Sequence, residues 1–489
     1  MQYIGIDLGS TNLKAAVYDE AFTCLAVESE PMQYEKRGTM VEFDAEKLAG
    51  GLLCVLKRLT CCPGVKKEEI SRIGLTGQAE TLVILGEDDR LLMNAVSWMD
   101  ERSREECVRL GELFSQEQYR QVTGQQGIFP TWPATKILWL QKNRPDIFEK
   151  AKTYMLLKDY IGFFLTGVKR AERSIATFSF YFDIYQKCYW KEMLDAVGIK
   201  EEQLPPLTEP CTDLGTITKE VAEETGLSAE VLVNAGTLDH FAGMVGTGNV
   251  GQGGMNLSTG TVMALAAIAG DAKGGAEKGI AMHYGFLPDT YVMLPVAESG
   301  GICLEWFRSS CMADVSYDRI NKELAQRTLP GEIIFLPYLV GTNAPEFEEN
   351  ASGMFYGLRA ENDAFDMAAA VMEGVAFLLR KNCETMRAAG TEVCYIIAIG
   401  GGAKSDVWCQ MQADITGIPV VVPQEKEAAC LGAAIIASAQ EKTAEEYRKT
   451  AEKANKPERR YEPHACEKYE QKYRRFCALY QAMVMIEKM

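Results

Sequence analysis

The chain contains 489 residues, of which 47% are hydrophobic and 24% are charged, and this composition is typical of a globular protein with two large domains. Its formal net charge of -17 argues against a nucleic-acid surface, which needs a basic footprint, and also against an electrostatic membrane anchor. Neither a signal peptide nor a membrane-spanning segment is recognisable, so we expect a cytoplasmic protein whose 15 cysteines are free thiols.

The first predicted elements are two strands joined by a turn of small residues. Residues 3–6 form an apolar run that ends at an aspartate, and residues 13–17 form a second apolar run. Backbone N–H groups, hydroxyls and a lysine can hold phosphate oxygens, and a carboxylate at a strand end can hold a hard cation. The residues alone leave open whether this is an ordinary hairpin or a phosphate site. The candidate phosphate ligands are Gly9, Ser10, Thr11 and Lys14, and the candidate metal ligand is Asp7.

Strands and helices then alternate through the first half of the chain. We predict a helix over residues 44–58 with Asp44 as its N-cap, and strands over 70–75 and 81–85. Residues 103–164 are predicted to be mostly helical, with a helix that opens at Pro133. Residues 231–236 read as a buried strand, and the next helix begins at Asp239.

Two sets of polar residues in this half allow more than one interpretation. Asp239 is either an acid that favours a helix N-terminus or a general base near a transferred phosphoryl group. Trp98, Asp100 and Arg102 fit a surface ion pair beside a buried tryptophan, and they also fit the wall of a sugar pocket. Sequence spacing alone does not decide either case.

Halfway along the chain, residues 254–265 repeat the opening pattern of strand, turn and strand. The turn again contains hydroxyls and a glycine, at Thr259, Gly260 and Thr261. One such hairpin in each half predicts two related domains that face a single nucleotide.

Two glycine-rich segments need separate interpretations. Residues 246–251 match G-x-G-x-x-G, but a dinucleotide site needs a strand before the motif and a helix after it, whereas we predict the reverse order. An interdomain turn is therefore favoured there. Residues 400–402 are three consecutive glycines between a predicted strand over 394–399 and a predicted helix over 405–416, which favours ligand contact over a plain turn.

Taken together, these motifs resemble the FGGY family of carbohydrate kinases, which includes xylulokinase, gluconate kinase and glycerol kinase. The likeness covers nearly the whole chain, from residue 3 to about residue 439. It rests on two phosphate motifs, an adenosine motif, and an N-terminal and a C-terminal signature, at residues 6–11, 257–261, 399–411, 133–140 and 352–373.

The resemblance implies an α/β protein with a two-domain, actin-like (ribonuclease H-like) ATPase fold and an active site in the interdomain cleft. The N-terminal domain, over residues 1–248, would carry the sugar site and the first phosphate loop. The C-terminal domain, over 249–440, would carry the second phosphate loop and the adenosine site, and residues 441–489 would form a helical tail.

The resemblance also assigns roles to residues of this chain. Asp239 would be the general base, Asp7 would help to place Mg²⁺, and Lys14 would lie near the γ-phosphate of ATP. The residues expected at the adenosine are Gly301, Gly401, Gly402, Ala403 and Asp406. The residues expected at the substrate are Gln78, Glu80, Trp98, Asp100, Arg102, Asp239 and His240.

The substrate loop combines features of two branches of the family. Xylulokinases usually carry Gln-Met-His-Gly, and glycerol kinases carry Gln-Arg-Glu-Thr, whereas residues 78–81 of this chain are Gln-Ala-Glu-Thr. Asp100 and Arg102 match the xylulokinase-like branch. Because the carboxylate of Glu80 would accept hydrogen bonds from hydroxyls and repel an acid, gluconate is disfavoured.

We therefore predict ATP-dependent phosphorylation of a hydroxyl on a small ketose, such as a pentulose, or on a polyol. Glycerol- or erythritol-type polyols and sugar acids are the alternative substrates. An actin-fold ATPase that drives partner binding and a sugar sensor without turnover also stay open, although the sugar-loop residues and the retention of Asp7, Lys14 and Asp239 argue against them. The expected partner is a small sugar or polyol rather than nucleic acid or membrane, and a homodimer is left open.

Overall fold

The computed structural model describes residues 1–343, 346, 348 and 350–489, which form alternating strands and helices. The strands are β1 Gln2–Leu8, β2 Asn12–Tyr18, β3 Cys24–Pro31, β4 Glu35–Arg37, β5 Met40–Phe43, β6 Ile70–Gly77, β7 Leu82–Leu85, β8 Ala95–Val96, β9 Thr153–Leu156, β10 Ala171–Glu172, β11 Phe182–Asp183, β12 Cys188–Tyr189, β13 Leu207–Thr208, β14 Asp213–Thr216, β15 Leu232–Leu238, β16 Gly253–Thr259, β17 Met263–Ile268, β18 Met282–Tyr284, β19 Tyr291–Met293, β20 Val296–Ala297, β21 Ile334–Leu336, β22 Met354–Tyr356, β23 Val393–Ile399, β24 Val420–Pro423 and β25 Pro457–Tyr461. The α-helices are α1 Ala45–Thr60, α2 Arg104–Leu113, α3 Gln116–Thr123, α4 Pro133–Asn143, α5 Pro145–Phe148, α6 Leu157–Thr166, α7 Arg173–Ala176, α8 Lys191–Val197, α9 Lys219–Thr225, α10 Asp239–Gly246, α11 Gly274–Glu277, α12 Gly301–Cys311, α13 Tyr317–Leu324, α14 Ala364–Ala388, α15 Asp406–Thr416, α16 Ala428–Ser438, α17 Ala444–Ala454 and α18 Glu467–Glu487.

These elements divide into two compact units, each of which combines strands and helices as the predicted α/β class requires. The first unit comprises Met1–Val250, Met282–Tyr291 and Glu427–Asn455, and the second comprises Gly251–Ala281, Val292–Lys426 and Lys456–Met489. The units differ from the predicted boundaries at 248 and 440, because α16 and α17 belong with the first unit. The expected helical tail is also divided, since β25 and α18 belong to the second unit and β25 is a strand.

Helix α16 belongs with the first unit because glycines let it lie directly on the central sheet. A Cβ atom at Gly5 would lie 1.9 Å from the carbonyl oxygen of Cys430, and one at Gly74 would lie 1.9 Å from that of Ala433. Any larger side chain on β1 or β6 at these positions would push the helix away. The apolar side chains of β1 at Ile4 and Ile6 point to the opposite face, where they form a core with α1 and α6.

The central sheet of the first unit has the strand order β14-β15-β6-β1-β2-β3. Strand β6 lies parallel to both β1 and β15, while β2 pairs with β1 in an antiparallel hairpin. A second sheet, in the order β4-β5-β8-β7-β9, carries the predicted substrate loop before β7 and the Trp98 segment after β8. The predicted opening strands and the helix capped by Asp44 are confirmed.

The second unit repeats the arrangement of the first around its own hairpin. Strand β16 pairs with β17 in an antiparallel hairpin and with β23 in parallel, just as β1 pairs with β2 and β6. Strands β24 and β25 extend this sheet beyond β23, and α14, α15 and α18 pack together beside it. The duplicated hairpin predicted from the sequence is therefore present in both units.

The G-x-G-x-x-G segment lies between α10 and β16, where the chain leaves the first unit. The predicted order, with a helix before the segment and a strand after it, is confirmed, and it is the reverse of the order that a dinucleotide site needs. Gly246 is required by packing, because a Cβ atom there would lie 2.0 Å from the carbonyl oxygen of Ala428. In the part of the chain that the structure describes, no helix combines the length and the apolar character needed to cross a bilayer.

Candidate active site

Three candidate residues meet at one edge of the first unit's central sheet. Asp7 lies near the end of β1, Gln78 directly follows β6, and Asp239 directly follows β15. Because these three strands are neighbours and run parallel, their carboxyl ends lie along the same edge. Ligands of α/β sheets bind at this edge.

The opening hairpin holds an acidic and a basic side chain at opposite positions of its two strands. Asp7 pairs with Lys14 in the register of β1 and β2. Lys14 Nζ donates a hydrogen bond of 2.7 Å to Glu427, the residue immediately before α16. Lys14 is therefore held on the face of the sheet that α16 covers.

Asp7 carries a buried oxygen that the protein leaves unsatisfied. Its Oδ1 atom has no hydrogen-bond partner among the described residues. Burial, together with the negative charge of Asp239, raises the pKa of Asp7 to about 7, although Lys14 opposes the shift. A divalent cation would satisfy the oxygen and offset the repulsion between the two carboxylates.

The donor set around Asp7 fits Mg²⁺ better than a metal held by the protein alone. Among the described residues there is no cluster of three or more His, Cys, Asp or Glu side chains that could hold a metal ion. Mg²⁺ commonly binds one or two carboxylates and takes its other ligands from water and substrate phosphates. Asp7 is the residue that would contact it, directly or through water.

Asp239 is the first residue of α10 and is half-buried. Its Oδ1 accepts a hydrogen bond of 2.6 Å from the backbone N–H of His240. Both sequence interpretations of Asp239 are thus compatible with its position, since it lies at a helix N-terminus and also beside Asp7. Burial, with a smaller electrostatic contribution from the nearby His240, lowers the pKa of His283 to about 3.

A hydrogen bond connects the predicted substrate loop, residues 78–81, to the predicted phosphate turn at Gly9. Gln78 is buried, its Nε2 donates to the carbonyl of Gly9 at 3.3 Å, and its Oε1 accepts from Thr81 at 2.8 Å. Trp98 Nε1 donates to Ser10 Oγ at 3.0 Å, and 36% of the residue remains exposed. Gln78 therefore shapes the loop, while Trp98 keeps an exposed indole surface beside the phosphate turn.

Glu80 has a backbone conformation that is rare for a residue other than glycine. Its φ of 63° lies in the left-handed region. Its carbonyl accepts a hydrogen bond of 3.0 Å from Lys136 Nζ, which also donates to the carbonyl of Ser97 at 2.8 Å. Lys136, in α4, thus joins the Glu80 loop to the Trp98 segment and helps to hold the strained turn.

The structure contradicts the interpretation of Asp100 and Arg102 as a surface ion pair beside a buried tryptophan. The ion pair is buried, whereas Trp98 is partly exposed. Asp100 is fully buried, and its carboxylate accepts from the backbone N–H of Val41 at 2.6 Å and from the Arg102 guanidinium at 2.7 and 2.8 Å. The guanidinium also binds Glu42 and lies 4.9 Å from the ring centre of Trp139. Both carboxylate oxygens of Asp100 accept hydrogen bonds within the protein, so this geometry fits a support for the Trp98 segment. The predicted contact of Asp100 and Arg102 with substrate stays a prediction.

The second unit's hairpin turn packs against the start of α12. The backbone N–H of Gly301 donates to the carbonyl of Gly260 at 2.7 Å, and that of Ile302 donates to the carbonyl of Thr261 at 3.1 Å. A Cβ atom at Gly301 would lie 2.5 Å from the Gly260 oxygen. Close packing within the unit therefore explains Gly301, whose predicted contact with adenosine stays a prediction.

The three consecutive glycines have different explanations. Gly400 has a φ of +79°, and a Cβ atom at Gly402 would lie 2.7 Å from Thr259 Cβ, so turn geometry and packing account for these two. At Gly401 the nearest atom to such a Cβ is the Thr259 oxygen at 3.6 Å, and at Gly260 there is no atom within 4 Å. Among the glycines predicted to contact the nucleotide, Gly260 and Gly401 are thus the two that packing does not require, as expected where a ligand approaches the backbone.

Asp406 begins α15 and is held by strand β25. Its carboxylate accepts hydrogen bonds from Arg459 and from the Tyr461 hydroxyl, both at 2.5 Å, and these bonds lower its pKa. Arg459 also donates to the carbonyl of Ala403 at 2.9 Å. The predicted adenosine residues Ala403 and Asp406 are therefore fixed by the carboxyl-terminal segment of the chain.

Comparison with known proteins identifies the family. Residues 2–246 match the N-terminal domain of the FGGY family of carbohydrate kinases, and residues 255–441 match its C-terminal domain. The chain belongs to the FGGY family of carbohydrate kinases. This FGGY kinase is an enzyme that transfers a phosphoryl group from ATP to a small sugar, and the predicted two-domain actin-like fold is confirmed.

Several proteins that are similar to this FGGY kinase are named as xylulose kinases. It is 28% identical over 442 residues to the xylulose kinase of Bacillus subtilis (strain 168), which covers 90% of this chain and 88% of that protein. It is 30% identical over 441 residues to the L-xylulose/3-keto-L-gulonate kinase of Escherichia coli (strain K12), with 89% and 87% covered. The crystal structure of a xyloylose kinase from Brucella ovis matches with a TM-score of 0.92 at 29% identity, covering 99% of this chain and 100% of that one.

Sequence reasoning missed three residues that organise the site of this FGGY kinase. Glu427 and Arg459 act on partners more than fifty residues away in the chain, so no local pattern could reveal them. Lys136 had a local signal, since it is a charged residue in an otherwise apolar stretch of α4. A buried lysine in such a position needs partners, and the loop carbonyls supply them.

Proposed function

We propose that this FGGY kinase phosphorylates a ketose, of which a pentulose is the leading candidate, with Asp239 as the general base and Mg²⁺-ATP as the donor. The observation that carries the proposal is the convergence of Asp7, Gln78 and Asp239 at the carboxyl ends of three neighbouring parallel strands. The names of the similar proteins, xylulose kinase and L-xylulose/3-keto-L-gulonate kinase, support a ketose.

The proposed chemistry follows from the charges at this edge of the sheet. A sugar hydroxyl is a weak nucleophile, and Asp239 offers a carboxylate that can take its proton as the bond to phosphorus forms. Bound Mg²⁺ would neutralise negative charge on the phosphates, and Asp7 is the residue that would hold it. Lys14, oriented by Glu427, supplies a positive charge for the transferred phosphoryl group.

The substrate loop supports an uncharged polyhydroxylated acceptor. Glu80 is held in a fixed left-handed conformation, and Trp98 offers an exposed aromatic surface on which sugar carbons can pack. A sugar acid would be repelled by the Glu80 carboxylate. A glycerol- or erythritol-type polyol is the second candidate, because Gln78, Glu80 and Thr81 keep the glycerol kinase pattern.

The test is a coupled assay of ADP release with pure protein, Mg²⁺-ATP and one acceptor at a time. The panel contains pentuloses, tetruloses, hexuloses, glycerol, erythritol and gluconate. We expect the highest kcat/KM with a pentulose and little turnover with gluconate. A preference for glycerol or gluconate over every ketose would overturn the ketose assignment, and calorimetric sugar binding without any turnover would indicate a sensor.

A further inference from the structure

The strand that carries Asp239 does not run regularly into α10. The pairing of β15 with β6 is interrupted between Asn234 and Thr237. Within the interruption Gly236 has a φ of +61°, and a Cβ atom there would lie 1.6 Å from the carbonyl oxygen of Leu75. Such a bulge redirects the chain and removes ladder hydrogen bonds, so the segment before Asp239 needs other partners.

Side chains from another part of the first unit supply those partners. Lys158 Nζ donates to the carbonyl of Ala235 at 2.8 Å. Ser174 Oγ lies 2.7 Å from Thr237 Oγ1 and accepts from the backbone N–H of Leu238 at 3.4 Å. The residues on both sides of the bulge are thus held by side chains, up to the position directly before Asp239.

The direction of these hydrogen bonds follows from a count of hydrogens. Ser174 Oγ lies 2.8 Å from Glu172 Oε2, and it donates to that oxygen when the Glu172 carboxylate is ionised. Because a hydroxyl has one hydrogen, the bond between Ser174 and Thr237 must be donated by Thr237. With Glu172 ionised, the chain of hydrogen bonds therefore runs from Thr237 through Ser174 to Glu172.

Glu172 and Lys158 are both buried, with Glu172 Oε2 3.5 Å from Lys158 Nζ. Burial raises the pKa of Glu172 to about 7, and the positive charge of Lys158 opposes the shift. Well-packed apolar residues usually stabilise a fold as well as a buried charged pair does. The Glu172 carboxylate caps the start of α7 through the backbone N–H groups of Ser174 and Ile175, and through the Ser174 hydroxyl it also fixes the geometry of the Asp239 segment.

We propose that Lys158, Glu172 and Ser174 form a support network that positions Asp239 for proton abstraction. These are positioning residues, since they contact the strand that carries the base rather than the reacting atoms. The inference deepens the proposed function, because it rests on the assignment of Asp239 as the general base.

The first test compares Ser174→Ala with the matched control Ser179→Ala. Ser179 is also buried, and among the described residues its hydroxyl bonds only the carbonyl of Ala176 and the backbone N–H of Tyr181. We expect Ser174→Ala to lower kcat by about 10- to 100-fold with the KM values for sugar and ATP nearly unchanged, because a displaced base costs turnover rather than binding. The control should keep the wild-type kcat.

A second pair of variants separates positioning from damage to the fold. Thr237→Val removes the hydroxyl at similar volume, and Thr237→Ser keeps the hydroxyl. We expect Thr237→Val to lower kcat as Ser174→Ala does, and Thr237→Ser to restore most of the loss. Equal kcat in Thr237→Val and the wild type, or in Ser174→Ala and the wild type, would overturn the inference and leave the kinase assignment standing.

Hydrogen exchange tests the support network without any assay of turnover. In Ser174→Ala, the backbone amide of Leu238 should exchange faster than in the wild type, whereas in Ser179→Ala it should not. If the wild type phosphorylates no acceptor, the proposed function fails, and this measurement alone decides whether the network holds the segment. Unchanged exchange at Leu238 in Ser174→Ala would overturn the inference.

Discussion

Lys14 is surrounded by acids, and its orientation decides what it can do. It pairs with Glu427 at 2.7 Å while it lies opposite Asp7 in the hairpin. Without Glu427, the remaining nearby acid would be Asp7, the residue that would hold Mg²⁺. Glu427 therefore fixes the direction of Lys14, whose proposed partner is the transferred phosphoryl group.

Neutralising this carboxylate should impair the use of ATP. We expect Glu427→Gln to lower kcat/KM for ATP by about tenfold, because a misdirected Lys14 stabilises the transferred phosphoryl group less well. Steady-state kinetics at varied ATP measure the effect. Glu441→Gln, which neutralises an exposed acid beyond the other end of α16, should behave as the wild type, and equal losses in both variants would point to net charge instead.

The two interpretations of Asp239 also make different predictions. As the general base, Asp239→Asn should lower kcat by about 10²- to 10⁴-fold and leave ATP binding intact. If Asp239 is only a helix N-terminal acid, Asp239→Asn should lower only the free energy of unfolding, by about 1 kcal/mol or less. Coupled kinetics with calorimetric ATP titration distinguish the two, and Asp318→Asn, an exposed acid in the first turn of α13, is the matched control. Near-normal kcat in Asp239→Asn would show that another group takes the proton.

At the scale of elements, α4 matters because Lys136 joins it to both the Glu80 loop and the Trp98 segment. Its Nζ holds the carbonyls of Glu80 and Ser97, which belong to different connections of the second sheet in the first unit. Burial lowers the pKa of Lys136 to about 7 from its ordinary value of 10.5, although the carboxylates of Glu80 and Asp100 oppose the shift. The folded protein therefore holds the Lys136 amine in surroundings that disfavour its charged form.

Because the pKa of Lys136 differs between the folded and the unfolded chain, the free energy of unfolding depends on pH. Between pH 7 and 10.5 the folded chain releases the Lys136 proton while the unfolded chain keeps it, so the contribution of Lys136 to stability rises with pH. Below pH 7 both states are protonated and the contribution is constant. We expect the free energy of unfolding of the wild type to rise relative to that of Lys136→Met across this window. Denaturant titrations at several pH values measure the difference, and a difference that falls with pH would contradict the shift.

The elements were largely predictable from the sequence because their signals are local. The strand and turn pattern of the opening hairpin, the Asp44 cap and the order of helix and strand around Gly246 each depend on a few adjacent residues. The environments of Asp100 and Arg102 were not predictable, because their burial depends on Val41 and Glu42 in β5 and on Trp139 in α4, which are distant in the sequence. Site residues could be named from the motifs, but the groups that hold them could not.

At the scale of the whole molecule, the described residues offer no preformed cluster of metal ligands. Asp7 and the phosphates of ATP would together complete the coordination of Mg²⁺. Metal and nucleotide should therefore bind as one ligand, and neither the fold nor its stability should depend on the metal alone.

Thermal unfolding tests this dependence. Mg²⁺ alone or EDTA alone should leave the midpoint of unfolding unchanged, whereas Mg²⁺ with ATP should raise it. EDTA should abolish turnover, and excess Mg²⁺ should restore it. In Asp7→Asn, a higher Mg²⁺ concentration should be needed for half-maximal turnover, and an unchanged requirement would remove Asp7 from the metal site.

The return of α16 to the first unit has a consequence for synthesis on the ribosome. The sheet of residues 1–250 is missing the helix that covers the Gly5 and Gly74 face until residue 438 has been made. Amino-terminal domains commonly fold first as they emerge. Here the nascent amino-terminal half must wait, with one face of its sheet uncovered, while almost the entire second unit is translated. A ribosome that stalls between the two halves would release a fragment with that face exposed.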